Sequence, residues 1–105
     1  MDVQAKIAME EKGLTIVRFR NSLQFEGKNY EALSMDLESL TGKDVIDAEN
    51  EARALGVRAV MLESSKEYQA IIAAKAAHVT VDLIKALPAK EFSSVTGEVQ
   101  GFLLG

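Results

Sequence analysis

Asp36 to Gly56 reads DLESLTGKDVIDAENEARALG, and it carries the best-marked helix of the chain. Thr41 suits an N-cap, because its hydroxyl can accept from an orphan N–H of the first turn. Asp44 stands three residues on and approximates a capping box, with Asp where Glu or Gln is more usual. Gly56 can take the left-handed conformation that closes a helix, with Leu55 before it. Between these ends Val45, Ala48, Ala52 and Leu55 recur at helical spacing, and Ile46 widens the stripe. Lys43 with Asp47, and Glu49 with Arg53, are i,i+4 pairs on the wet side. The stretch specifies an amphipathic helix in need of a surface to cover, and it carries no chemistry.

Working upstream, Leu14–Arg20 is dense in β-branched residues and alternates, which predicts a strand. Leu23–Phe25 continues it after a bulge at Asn21–Ser22. Glu26-Gly27-Lys28-Asn29 is turn chemistry, since Gly and Asn tolerate positive φ. A second strand is expected from Tyr30, with Leu33, Met35 and Leu37 pointing one way. A two-stranded hairpin is marginal alone and needs a helix over it. The Thr41–Leu55 helix is the expected cover. Met1–Gly13 reads as an extension, frayed or with Val3 and Ile7 on one side of a short helix.

Working downstream, Val57–Glu63 reads equally as loop or extended link. Ser64 with Glu67 makes a capping box, which predicts a helix over Ser65–Ala77 with faces set by Tyr68, Ile71, Ile72 and Lys75. Thr80 is placed to cap a short helix through Leu87. Pro88 ends that helix and suits the first turn of the next. Over Ala89–Leu104, Phe92, Val95, Val99 and Phe102 are spaced three, four and three apart, an a/d-like stripe. Gly97 and Gly101 weaken this helix by about 1 kcal/mol each and allow close approach by another surface. The expected fold is α+β: an N-terminal hairpin followed by about four helices, with one domain over 14–105.

The chain has 105 residues, a net charge of -4 and no cysteine. Disulfides, thiol nucleophiles and zinc–thiolate sites are thereby excluded. Its sparse basic residues near the hairpin, Arg18, Arg20 and Lys28, read as a solvated face rather than a nucleic-acid interface. The longest apolar run, Ala70–Ala74, is far short of a membrane span, and the N-terminus lacks a signal-peptide pattern. His78 sits at a helix end, where a cap explains it better than catalysis. Asp44, Asp47, Glu49 and Glu51 are interleaved with Lys43 and Arg53 and read as a solvated face, not a metal site. No phosphate loop, EF-hand loop or nucleophile elbow occurs. The reading is therefore no enzyme, no cofactor and no metal. The candidate partner-binding residues are Phe92, Val95, Val99, Phe102 and Leu103, weighed against plain packing into the core.

One resemblance adds a function. Phe25–Gly56, FEGKNYEALSMDLESLTGKDVIDAENEARALG, and Ser65–Gly105, SKEYQAIIAAKAAHVTVDLIKALPAKEFSSVTGEVQGFLLG, resemble the tail assembly chaperones of Mu-like and related contractile-tailed phages. Leu40-Thr41-Gly42-Lys43-Asp44, Lys66-Glu67-Tyr68, Ala73–Ala77 and Leu87-Pro88-Ala89-Lys90 carry it, through their order and spacing. The family often has proline near Ser22 and glycine near His78, and this chain has neither. The resemblance implies a protein of the host bacterial cytoplasm that coats the tape measure protein until tail tube subunits polymerise, and that is absent from the mature virion. It implies a frameshifted longer form as a partner, with Gly101–Gly105 near the junction, and homo-oligomers are a further expectation. The competing readings are a structural tail subunit and an adaptor that binds peptides on the hairpin edge.

Overall fold

The computed structural model describes residues 13–105, so the short helix read around Val3 and Ile7 lies outside the described residues. Strands β1 (Thr15–Phe25) and β2 (Lys28–Met35) pair antiparallel, from Thr15↔Met35 to Phe25↔Lys28. The turn between them is tighter than the sequence suggests. Glu26 and Gly27 alone form it, with φ of 50° and 78°. Two consecutive positive φ values make the primed turn whose twist matches the strands. Asn29 is released from the turn to pair with Gln24, whose side-chain amide donates to Asn29 Oδ1 at 2.7 Å.

The expected bulge is present and large. Arg18 pairs with Ala32 and Leu23 with Tyr30, so Phe19 to Ser22 stand opposite Glu31 alone. β2 ends at Met35, and Leu37 stays buried in a short 3-10 turn, Leu37–Ser39.

Four α-helices follow among the described residues: α1 (Gly42–Ala54), α2 (Lys66–Ala77), α3 (Val81–Lys85) and α4 (Ala89–Leu104). α1 starts as read, with the Asp44 N–H donating to Thr41 Oγ1 at 3.3 Å and the Thr41 N–H to Asp44 Oδ2 at 2.8 Å. It closes at Gly56, whose φ is +93°, with the Val57 N–H on Ala52 O at 3.0 Å. Lys43 reaches Asp47 at 2.7 Å. The Glu49–Arg53 pair does not close among the ion pairs of the described residues.

α2 begins one residue later than Ser64 would place it. Ser65 is the cap and accepts from the Tyr68 N–H at 3.3 Å, while Ser64 ends a 3-10 turn, Leu62–Ser64. Leu62 and Tyr68 are both buried, and seating them sets the register. Thr80 precedes α3 without a side-chain cap bond, and α3 is shorter than expected, ending at Lys85. Pro88 stands just outside α4, and its carbonyl accepts from the Phe92 N–H at 2.9 Å.

The core is built on α2, which buries eight of its 12 residues. A helix with so few exposed positions sits in the middle of a domain rather than on its surface. The hairpin packs on α2 and α4, and α1 packs on α2. This corrects the expectation that α1 covers the hairpin. The inward residues of α1 are two alanines, Ala48 and Ala52, which suit close contact with another helix more than cover for Leu33 and Met35. The Asp36 N–H donates to Ala76 O at 3.0 Å and ties the hairpin exit to the end of α2. Leu55 and Ile46 of the α1 stripe are exposed.

Candidate partner-binding surfaces

Pro88 and the break after α3 set α4 down across the hairpin and α2, and its spacing then decides which side chains turn inward. Val95 and Val99 are fully buried, and Phe92 and Leu103 pack half-buried against the core. Phe102 is 43% exposed and Leu104 51%. The stripe therefore divides: its middle is core, and in its last turn Phe102 and Leu104 are exposed while Leu103 still packs on the core.

Polar groups pin α4 on both sides. Glu91, buried in its first turn, accepts from the Arg20 N–H at 3.4 Å, with the Arg20 guanidinium 4.0 Å away. This bond occupies an N–H left unpaired by the β1 bulge. Lys66 donates to Thr96 Oγ1 at 2.9 Å. The buried Gln69 amide donates to Glu63 O at 2.7 Å and to Gln100 Oε1 at 3.3 Å. Sequence reading missed this seam, because its members look like ordinary surface polar residues.

A second surface lies between α1, α2 and the turn before α3. Glu51, Ile71, Ala74, Lys75, Val79, Thr80 and Val81 line an open cleft of about 330 Å³. Ile71 and Ala74 are buried, Val79 and Val81 are half-buried, and Glu51 and Thr80 are exposed. The lining comes from three segments, so no local pattern announces it. The one sequence signal nearby is His78, standing where a helix end usually has glycine. His78 takes φ 57° there, and the Val79 N–H bonds Ala74 O at 3.0 Å.

Among the described residues three titrations are shifted. The Thr41 backbone N–H, then its hydroxyl, hold the Asp44 carboxyl below the ordinary carboxylate value. The hydrogen bond to Asp47 raises Lys43. Burial, then the charges of Glu49 and Glu63, raise Tyr68. None of these is a base poised beside a nucleophile. The Thr41 hydroxyl does touch Asp44 at 3.1 Å, but the pair is an exposed helix cap. Among the described residues no cluster of three His, Asp or Glu could hold a metal ion, and no helix is long and apolar enough to cross a membrane.

No family model matches the chain, and neither does any curated protein or solved structure.

Proposed function

We propose that this chain is a phage tail assembly chaperone, which binds the tape measure protein and keeps it soluble until the tail tube assembles around it. The observation that carries the reading is the split character of the surface. α2 buries eight of its 12 residues, yet Ile46, Leu55, Val60, Met61, Phe102 and Leu104 remain at least 43% exposed. Large apolar side chains left outside a closed core suit contact with another chain's apolar stripes. A net charge of -4 keeps such a coating protein soluble and mutually repelling. The family resemblance over Phe25–Gly56 and Ser65–Gly105 supplies the partner's identity.

Affinity capture tests the reading, using the tape measure protein co-expressed with the full chain. The expected result is a soluble complex of fixed stoichiometry. Recovery of this chain by mass spectrometry from purified, finished particles would instead favour a structural tail subunit.

A further inference from the structure

We infer that α4 is a hinged arm: it comes away and unravels as a unit from Pro88 onward while α1 and α2 stay folded, and this opening bares the inner side of its apolar stripe. The opening stands apart from the chaperone reading, and only its use by the tape measure protein rests on that reading.

The apolar attachment of α4 is thin. α2 buries eight of its 12 residues, whereas α4 buries four of 16. Two of those four, Glu91 and Thr96, are polar, which leaves Val95 and Val99 as its fully buried apolar side chains. Phe92 and Leu103 add partial cover.

The polar seam fixes where α4 sits but holds it weakly. A hydrogen bond inside a protein replaces one to water, so its net contribution is small. The Arg20 N–H reaches Glu91 at 3.4 Å, and the guanidinium stands 4.0 Å away and largely exposed. Both contacts are long for a charge-assisted bond. Under α4, Gln69 is fully buried and spends its amide protons on Glu63 O and Gln100 Oε1. Its own Oε1 has no partner among the described residues. A buried acceptor left unpaired forfeits its hydration, and opening the α2–α4 seam restores it.

The helix itself is weak as well. Gly97 and Gly101 are exposed, neither has positive φ, and a methyl built on either meets nothing within 4 Å among the described residues. Nothing in the closed arm requires glycine there, and each glycine destabilises the helix relative to alanine. Pro88 offers no side-chain cap, whereas Thr41 caps α1 and Ser65 caps α2. An uncapped helix of 16 residues with two glycines does not persist alone in water, so α4 unravels once it leaves α2. Pro88 has no N–H to continue a helical bond from α3, so the two helices need not move together.

Native-state hydrogen exchange on the full chain, followed by NMR across low urea concentrations, tests the inference. Amides of α4 should be about a hundredfold or more less protected than those of α2. Their exchange should respond to urea more weakly than that of α2, because less surface is exposed. Gly97→Ala and Gly101→Ala should each raise α4 protection about fivefold. Thr41→Ala, which loosens α1, should lower α2 protection about fivefold and leave α4 protection unchanged. Equal protection in α2 and α4, alanines without effect, or a fall in α4 protection on Thr41→Ala would overturn the inference. The tape measure protein is absent from this experiment. Its failure therefore leaves the chaperone reading standing, and a failed capture leaves the opening of α4 standing.

Discussion

Gly56 and His78 end two helices in the same way, and only one of them has the residue that the conformation favours. Both have positive φ, 93° and 57°, and both are followed by an N–H bonded back at 3.0 Å, Val57 to Ala52 O and Val79 to Ala74 O. An L residue in that region costs about 1–2 kcal/mol, and glycine escapes the cost. His78 is exposed, so little packing is lost with its side chain. His78→Gly should raise stability by about 1 kcal/mol, or a few degrees in Tm, in thermal melts. Unchanged or lowered Tm would mean that the imidazole contributes as much as its backbone costs.

Asp44 gives the pH dependence at this same scale. Its folded pKa is depressed by the Thr41 hydrogen bonds. The stabilisation is therefore fully present above the ordinary carboxylate value of 3.8 and is lost as pH falls through the lower folded value. Thr41→Ala should cost roughly 1 kcal/mol at neutral pH in urea denaturation. That cost should shrink once the pH falls below the carboxylate range. Caps of this kind were legible in the sequence, because they depend on residues three apart. The cap of α2 was misplaced from Ser65 to Ser64 because two adjacent serines offer the same chemistry. The burial of Leu62 and Tyr68, a tertiary effect, chose between them.

At the scale of elements, the marks of a helix and its place in the fold proved to be different information. α1 has its start and stop written in Thr41, Asp44 and Gly56, yet it lies on the outside of α2. α2 is the centre, and its signal was the uninterrupted apolar run Ala70–Ala74 rather than any periodic stripe. The hairpin and its bulge were readable from alternation and β-branching. The tight turn was not, since Glu26 has no special preference for positive φ. In α4 the spacing of Phe92, Val95, Val99 and Phe102 correctly marked one face, but spacing cannot tell where along the helix its cover stops. The two ends should answer mutation differently. Val99→Ser leaves a cavity and a hydroxyl at a fully buried position and should cost about 2 kcal/mol or more by urea denaturation. Phe102→Ser, at a 43% exposed position, should cost much less. Equal costs would place Phe102 in the core and remove it from the candidate surface.

At the scale of the molecule, α2 holds the hairpin on one side and α1 on another, and α4 is fastened by Glu91, Thr96 and Gln100. The large apolar side chains this leaves exposed among the described residues are Ile46 and Leu55 of α1, Val60 and Met61 of the link, and Phe102 and Leu104 at the end of α4. The cleft was illegible in the sequence because Glu51, Ile71 and Val81 meet only after folding. The order of segments carried the family resemblance, and with it the partner proposed here. The most direct measurement is the soluble fraction of the tape measure protein expressed alone and together with this chain, followed by light scattering of the eluted species. The expected result is a shift of the tape measure protein into the soluble fraction, co-eluting with this chain in a fixed ratio. A tape measure protein that stays insoluble while this chain elutes alone would contradict the proposal.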